Sequence, residues 1–291
     1  MTSLHIENIS DTARWMAYVR ALESDRPDAL FRDPYSRQLA GPQGEAIAKD
    51  IGDIAMIAKA IAVRTAVLDQ LILQVVRRDE VDLVLNLGSG LDTRPWRLEL
   101  PAGLRWLDVD LPTILQHKAG VVRPEDARCQ YDALALDILD PGDRAALAAR
   151  CADARRVLAV TEGLLVYLKP SQVEALARDL RDKFSCMWWL TDLVGPRALQ
   201  MLRRVWQGRL RHAEFQFAPA DSVEFFSRLG WREHSFHSSQ EEARRLKRVT
   251  PTPLLGRLVL MFASRSFREE FRRLSGVALL ARDTTQPSGC G

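Results

Sequence analysis

Seven short runs rich in strand-forming residues recur between residues 81 and 264, and helical segments or loops separate most of them. The runs are VDLVLNL (81–87), LRWLDVDL (104–111), QYDALALDI (130–138), RRVLAVTEG (155–163), CMWWLTDL (186–193), WREHSFHS (231–238) and RLVLMFAS (257–264). Strands that alternate with helices are typical of a parallel sheet whose two faces are both covered. The sequence therefore predicts an α/β fold.

Helical patterns flank and interrupt these strands. Residues 10–24 and about 51–77 show one broad apolar face each, and prolines break the segment between them. The amphipathic stretch 196–217 lies between the fifth and sixth predicted strands, which makes it a candidate lid. The tail ARDTTQPSGCG (281–291) is expected to be disordered.

Composition and charge exclude several classes of protein. Acidic and basic residues are interleaved and the net charge is only +3, which argues against a nucleic-acid surface. The four cysteines have no C-x-x-C spacing, which argues against a zinc site and a disulfide scaffold. The N-terminus has no signal-peptide pattern and no run approaches 18 apolar residues. We expect a cytoplasmic protein with no metal and no membrane or nucleic-acid partner; the sequence indicates no oligomeric state.

Polar residues end four successive predicted strands. In an open parallel sheet, ligands bind beyond the carboxyl ends of the strands, so these residues are expected to share one site. They are Gly88, Ser89, Gly90 and Asp92 after the first strand, Asp108 and Asp110 after the second, Asp137 after the third, and Thr161, Glu162 and Gly163 after the fourth.

The stretch NLGSGLDTRPWRL (86–98) indicates which nucleotide is bound. A carboxylate about twenty residues after Gly88, at Asp108 or Asp110, suits the ribose of either NAD or S-adenosylmethionine. The sixth position of a G-x-G-x-x-G pattern is Thr93, and Arg and Pro follow where a pyrophosphate-binding helix would begin. S-adenosylmethionine has no phosphate and needs only a close backbone approach, which glycine permits. The loop therefore favours S-adenosylmethionine.

The chain resembles the leucine carboxyl methyltransferase family, and in particular its bacterial small-molecule branch. The matching stretches are RALESDRPDALFRDPYSRQLAG, VRT (63–65), NLGSGLDTRPWRL, LDVDLPTILQHK, LDI (136–138) and TEGLLVYL, in family order from about residue 13 to 168. The resemblance implies a Rossmann-like class I methyltransferase sheet, mostly parallel with seven strands. It also implies a single domain with a helical extension over the cofactor (1–80), an α/β core (81–265) with the lid, and a C-terminal helix with a flexible tail (266–291).

The resemblance also assigns the cofactor site. Arg64 would bind the carboxylate of S-adenosylmethionine, with Arg20 nearby, and Gly88 would lie under its methionine part, next to Ser89 and Gly90 in the same loop. Asp110 would bind the ribose. Asp137 and Ile138 would flank the adenine, with the Asp137 side chain accepting from the exocyclic amine, and Glu162 would lie near the amino group or the ribose edge.

Other polar residues have a structural interpretation. Asp92, Thr93 and Arg94 are expected to brace the glycine loop, and CMWW (186–189) to belong to the core. Tyr167 suits either the core or the rim of the pocket, and His212 in the candidate lid suits either a surface position or a general base. These two residues are the candidates for a catalytic role. The arginines of the candidate lid would either receive an anion or form a solvated face; they are Arg197, Arg203, Arg204, Arg209 and Arg211.

Two observations favour a carboxylate as the methyl acceptor: no histidine lies in the strand-end motifs, and the chain resembles carboxyl methyltransferases. A carboxylate is already ionised at neutral pH, whereas a phenol gains from a general base. We therefore expect a methyl ester, and the resemblance to the bacterial branch implies a small polyketide-like or aromatic acid as the acceptor. The alternatives are a phenol or other hydroxyl and a protein C-terminal carboxylate. A nicotinamide-dependent reductase and a non-catalytic nucleotide-binding protein are the rivals from other classes.

Overall fold

The computed structural model describes residues 9–51, 54–205, 214–249 and 264–284. Within these ranges, seven strands form one sheet in the order β3-β2-β1-β4-β5-β7-β6. The strands are Leu83–Leu87 (β1), Arg105–Asp110 (β2), Gln130–Ala135 (β3), Val157–Thr161 (β4), Cys186–Val194 (β5), Trp231–Ser238 (β6) and Ser275–Arg282 (β7). β1 to β5 are mutually parallel and β7 runs antiparallel to both of its neighbours. The predicted mostly parallel, seven-stranded α/β sheet is therefore confirmed.

Helices cover both faces of this sheet. The α-helices of the described ranges are Ile9–Ser24 (α1), Ser36–Ile51 (α2), Ala55–Arg78 (α3), Arg94–Arg97 (α4), Pro112–Ala119 (α5), Pro141–Arg150 (α6), Pro170–Asp182 (α7), Pro196–Val205 (α8), Ser222–Ser227 (α9), Ser239–Arg245 (α10) and Arg265–Arg272 (α11). α6, α7 and α9 pack on one face, and α3 packs on the other with residues of α10 beside it. None of the helices in the described ranges has the length and apolar character that crossing a bilayer requires.

The central strands are buried on both sides. Every residue of β1 and β4 is buried, which explains why both are nearly continuous apolar runs rather than alternating ones. Successive β1 side chains enter opposite cores: Leu83, Leu85 and Leu87 join one, and Val84 joins the other. β2 and β4 lie on either side of β1, so the strand order reverses there and a crevice opens at the carboxyl ends of the strands.

The last strand differs from the prediction. Most of the run predicted as a strand at 257–264 lies outside the described residues, and Ser264 caps α11 by accepting a hydrogen bond from the Phe267 N–H. β7 instead falls inside the segment predicted as C-terminal helix and tail (266–291), of which α11 forms only the first part. Gly276–Ala281 is buried on both faces between β5 and β6. A short, continuously apolar run has no alternation of apolar and polar residues, so its pattern does not distinguish a buried strand from a buried helix.

The N-terminal helices form a layer above the carboxyl ends of the strands. α1 packs against α2 and α3, and residues of all three helices join one apolar cluster with Leu199 of α8 and Phe215. α8 lies between β5 and β6, where the candidate lid was placed; residues 206–213 of that segment lie outside the described residues. The N-terminal helices, α8 and Phe215 therefore cover the crevice from above.

Candidate functional site

One cavity of about 530 Å³ opens at the carboxyl ends of β1 to β5. The loops that follow these strands form its floor, and α1, α3, α8 and the segment at 214–217 form the opposite side. All nine residues proposed from the sequence for cofactor binding line this cavity: Arg20, Arg64, Gly88, Ser89, Gly90, Asp110, Asp137, Ile138 and Glu162. Thr161 does not; it is buried and accepts a hydrogen bond from the indole N–H of Trp189.

The loop after β1 needs its two glycines. Gly88 and Gly90 have φ angles of 62° and 53°, in the left-handed region that side chains with a Cβ disfavour. A Cβ on Gly88 would lie 3.0 Å from the Leu164 Cδ1 atom. Between them, the buried Ser89 Oγ has no hydrogen-bond partner among the described residues although it lines the cavity. This loop offers a bare backbone and one unpaired hydroxyl to a ligand.

Asp108 and Asp110 have different environments although they end the same strand. Asp108 is buried and accepts hydrogen bonds from four side chains, those of Asn86, Trp106, Lys118 and Tyr131. Asp110 lines the cavity, and its two oxygens accept from the backbone N–H groups of Gly90 (2.6 Å) and Leu111 (2.7 Å). Burial raises the pKa of Asp110, although these two hydrogen bonds act in the opposite direction. Each oxygen keeps a second lone pair, so Asp110 alone of the pair can accept from a ligand.

The loop after β3 supplies Asp137 and Ile138. The Asp137 side chain is exposed, and its Oδ1 atom accepts a hydrogen bond from the Leu139 N–H at 2.9 Å. Its own N–H donates to the carboxylate of Asp143, which fixes the turn. Ile138 is half-buried and presents an apolar surface to the cavity. A carboxylate beside an apolar surface suits an aromatic base that carries an amino group.

Arg64 of α3 reaches across the cavity to two strand ends. Its Nε donates to Glu162 Oε1 (3.1 Å) and its Nη1 to Asp192 Oδ2 (3.0 Å). Burial opposes the charge on Arg64, but the two carboxylates outweigh it and raise the pKa of Arg64. Asp192 was not predicted as a site residue, although it lies close to the carboxyl end of β5, near the same edge of the sheet as the other strand-end acids. Its Oδ1 atom accepts from the Gly163 N–H at 2.6 Å.

Arg94 connects this pair of strand ends to the glycine loop. The buried guanidinium contacts Glu162 at 2.8 Å and Asp69 and Asp92 at 2.7 Å each. Asp92 also accepts from the Arg94 backbone N–H, so both residues brace the loop as expected. Burial alone would raise the pKa of Glu162, but Arg94 and Arg64 lower it below its ordinary value. Glu162 is therefore a poor base.

These contacts form one continuous array, which we call the ionic network. Arg97 of α4 completes it through two hydrogen bonds to Asp69 of α3. Its members are Asp192, Arg64, Glu162, Arg94, Asp92, Asp69 and Arg97. Carboxylates and guanidiniums alternate along it, so the network fixes the loops after β1, β4 and β5 relative to α3.

Arg20 of α1 lies beside the glycine loop. Its Nε donates to Asp33 (3.0 Å) and its Nη2 to the Leu91 carbonyl oxygen (2.5 Å). These contacts hold α1 over the loop while leaving further N–H groups of Arg20, which also lines the cavity, able to bind an anion.

One side of the cavity is apolar, and we call it the apolar wall. It comprises Trp15, Met16, Ile57, Ile61, Val166, Tyr167, Val194, Leu202 and Phe215. The rings of Tyr167 and Phe215 stack with centroids 5.3 Å apart, which places Tyr167 on the pocket side. Burial raises the pKa of Tyr167 to about 12, so its hydroxyl stays protonated at neutral pH.

The structure describes only part of the candidate lid. His212, Arg209 and Arg211 lie outside the described residues. Arg197 pairs with Glu270 and Arg203 donates to the Phe215 carbonyl oxygen at 2.8 Å, and none of the described arginines of α8 lines the cavity. In the described part of the chain, no histidine, lysine or cysteine lines it either.

Proteins of similar sequence are named as methyltransferases. The chain is 32% identical over 249 residues to a protein of Streptomyces coelicolor named as an S-adenosyl-L-methionine-dependent methyltransferase, covering 80% of this chain and 86% of that protein. A protein of the same kind from Streptomyces avermitilis is 31% identical over 257 residues, which cover 83% of this chain and 89% of that one.

Two solved structures share the fold at low sequence identity. A DUF574-family protein from Streptomyces avermitilis superposes with a TM-score of 0.58 at 13% identity, over 93% of this chain and 97% of that one. A protein from Thermobifida fusca described as a methyltransferase gives a TM-score of 0.56 at 16% identity, over 94% of each chain.

The sequence pattern of the leucine carboxyl methyltransferase family matches residues 13–181, which include the glycine loop, Arg64, Asp110 and Glu162. The chain belongs to this family and is an S-adenosylmethionine-dependent methyltransferase.

Proposed function

We propose that this protein transfers a methyl group to a carboxylate oxygen of a small, largely apolar acid and so forms a methyl ester. The observation that carries the proposal is the pairing of the apolar wall with strand-end acids that are already engaged by arginines. Such a site can hold and desolvate an acceptor, but it is poorly equipped to remove a proton from one.

The residues around the cavity fit S-adenosylmethionine. The glycine loop permits close approach of a ligand, and the unpaired Ser89 Oγ and the remaining lone pairs of Asp110 can bond to its polar groups. Asp110 would accept from the ribose hydroxyls, and Asp137 and Ile138 would receive the adenine. Gly88 would lie beneath the methionine part.

The methionine end of the cofactor would meet charged groups. Arg64 would bind its carboxylate with Arg20 nearby, and Glu162 would lie near the amino group. When bound, S-adenosylmethionine supplies a methyl group on a positively charged sulfur, which an oxygen nucleophile attacks in line. The residues of the chain then contribute by positioning the acceptor, and positioning is worth on the order of 7–11 kcal/mol in favourable cases.

The apolar wall would act on the acceptor in two ways. It excludes water from the acceptor oxygen, which makes a carboxylate more reactive than it is in solution. The Tyr167 hydroxyl, kept protonated by its raised pKa of about 12, can donate a hydrogen bond to one carboxylate oxygen while the other attacks.

The state of the strand-end acids favours an acceptor that arrives ionised. Glu162 is bound by two arginines, and Asp192 by Arg64 and the Gly163 N–H, so neither is placed to accept a proton. A carboxylic acid, with an ordinary pKa near 4, needs no base at neutral pH, whereas a phenol with a pKa near 10 benefits from one. The remaining carboxylate on this side, Glu214, is exposed to solvent.

The test is incubation with S-adenosylmethionine labelled in its methyl group and a matched panel of apolar acids and phenols of the same carbon skeleton. We expect label in acid-derived products, which mild base hydrolyses to labelled methanol and the original acid. Tyr167→Phe should lower kcat on the acids, whereas Glu214→Gln should leave it unchanged. A base-stable methyl ether as the main product, lost in Glu214→Gln, would replace this proposal with phenol methylation.

A further inference from the structure

We propose that Asp192 makes the site selective for the positively charged cofactor over its neutral, demethylated product. The proposal concerns a residue at the end of β5 that faces the cavity and belongs to the ionic network. It depends on the binding of S-adenosylmethionine and not on the nature of the methyl acceptor.

The ionic network contains more carboxylates than cations. Its four carboxylates, those of Asp69, Asp92, Glu162 and Asp192, face three guanidiniums, those of Arg64, Arg94 and Arg97. Neighbouring cations do not correct this imbalance, because Lys118 pairs with Asp108 and Arg20 with Asp33, and Asp110, which also lines the cavity, is a further carboxylate. With every member ionised, the network therefore carries one surplus negative charge.

The surplus lies at the end of the network formed by Asp192, Arg64 and Glu162, all three of which line the cavity. At the other end, Asp69 and Asp92 are matched by Arg94 and Arg97. Arg64 is then left between two carboxylates, those of Glu162 and Asp192. Glu162 also contacts Arg94, whereas among the described residues Asp192 forms an ion pair with Arg64 alone and otherwise accepts from the Gly163 N–H. Asp192 is thus the less compensated of the two.

Burial keeps this surplus from being screened. The side chains of Asp192, Glu162 and Arg64 are only 14%, 20% and 21% exposed. Charges that are shielded from solvent interact more strongly than charges at a surface, and salt screens them less. A carboxylate in this position is costly until a cation offsets it.

The cofactor supplies that cation only in its methylated form. S-adenosylmethionine has a sulfonium, an ammonium and a carboxylate, and so a net charge of +1, which balances the surplus. S-adenosylhomocysteine lacks the sulfonium charge and is neutral overall, so its complex leaves one buried carboxylate uncompensated. The network should therefore raise the affinity for S-adenosylmethionine relative to the affinity for S-adenosylhomocysteine, the product that remains after methyl transfer.

The experiment is titration calorimetry of the whole protein with S-adenosylmethionine, S-adenosylhomocysteine and sinefungin, in which a protonated amine replaces the methylated sulfur. Asp192→Asn removes the charge and keeps an oxygen for the Gly163 N–H. We expect its affinity for the two cationic ligands to fall by about tenfold relative to its affinity for S-adenosylhomocysteine. Glu233→Gln is the matched control, because Glu233 is 15% exposed, pairs with Arg273 and lies away from the cavity.

Two results would overturn the proposal. One is an equal change in affinity for all three ligands in Asp192→Asn, including no change, which would leave Asp192 as a support for the Gly163 turn. The other requires no variant: wild-type protein that binds sinefungin no more tightly than S-adenosylhomocysteine would show that the site does not respond to the ligand's charge.

Discussion

A single carboxylate at the end of β2 serves both the glycine loop and the cavity. Asp110 binds the N–H groups of Gly90 and Leu111, so it holds the loop in its left-handed conformation and still faces the cavity. A substitution there should loosen the loop and also remove the proposed contact with the ribose.

Asp110→Ala should lower the affinity for S-adenosylmethionine by about ten- to hundredfold, since a hydrogen bond to a charged group contributes roughly 1.5–3 kcal/mol. Titration calorimetry measures the change, and thermal denaturation shows whether the variant folds. Asp132→Ala, on exposed β3, is the control. Wild-type affinity in a folded Asp110→Ala protein would remove Asp110 from the cofactor site.

Arg64 is the second residue whose substitution is informative. Arg64→Lys should recover only part of the affinity for S-adenosylmethionine, because a single ammonium cannot bind Glu162, Asp192 and a ligand carboxylate as a planar guanidinium can. Arg64→Met should bind more weakly still. The measurement is calorimetry on variants whose circular dichroism matches wild type; equal affinity in Arg64→Met would leave Arg64 with a structural role.

For single residues, the sequence predicted which ones line the cavity better than it predicted which side chains they contact. All nine proposed cofactor residues line the cavity, yet spacing alone left Asp108 and Asp110 as alternatives. Their difference depends on Trp106, Lys118 and Tyr131, which fold against Asp108 from separate positions in the chain. Asp192 was missed because its partners, Arg64 and the Gly163 N–H, are distant in sequence.

At the scale of elements, α8 and the segment at 214–217 are attached to the turn that carries Tyr167. The Gln216 N–H donates to the Val166 carbonyl oxygen, and its side-chain amide to that of Tyr167. Arg203 of α8 donates to the Phe215 carbonyl oxygen. This part of the candidate lid therefore packs directly on the apolar wall.

Phe215→Ala should weaken acceptor binding more than cofactor binding. The ring stacks on Tyr167 and forms part of the apolar wall, whereas the proposed cofactor contacts lie on the strand-end side. Aromatic pairing contributes about 0.5–1.5 kcal/mol beyond burial, so the acceptor KM should rise by about two- to tenfold. Steady-state kinetics and calorimetry separate the two effects; an equal loss of S-adenosylmethionine affinity would contradict this division of the cavity.

The strands show which elements the hydrophobic pattern of the sequence can and cannot predict. Runs that end in a recognisable loop, such as β1 and β4, were located from the sequence within a few residues. β7 was missed because Gly276–Ala281 is a short apolar run, and its identity as a strand depends on the β5 and β6 edges between which it lies. Only the assembled sheet supplies that information.

For the molecule as a whole, the proposed chemistry implies a flat pH profile. The pKa of Tyr167 is about 12 and that of Glu162 is below its ordinary value, so both keep one protonation state between about pH 6 and 9. The pKa of Glu162 is lower in the folded protein than in the unfolded chain, where it is near 4, so ionised Glu162 stabilises the fold at every pH above about 4. That contribution is lost as the pH falls below about 4.

The rate of ester formation should accordingly change by less than about twofold between pH 6 and 9, since a carboxylic acid acceptor is ionised throughout. The measurement is kcat/KM for an apolar acid in buffers of constant ionic strength, with thermal denaturation followed over the same range. A rise of about tenfold per pH unit between 7 and 9 would indicate that a phenol or another weak acid has to ionise before transfer.

The surplus negative charge of the ionic network affects the order in which the cofactor and the methyl acceptor bind. An anionic acceptor that arrives first meets Glu162 and Asp192 with only Arg64 between them and is repelled. Once a cationic cofactor has neutralised that end, the repulsion disappears and the sulfonium attracts the acid. Addition should therefore be ordered, with the cofactor leading: an apolar acid should bind more tightly to the sinefungin complex than to the ligand-free protein or the S-adenosylhomocysteine complex. Equal acid affinity in all three titrations would indicate random addition.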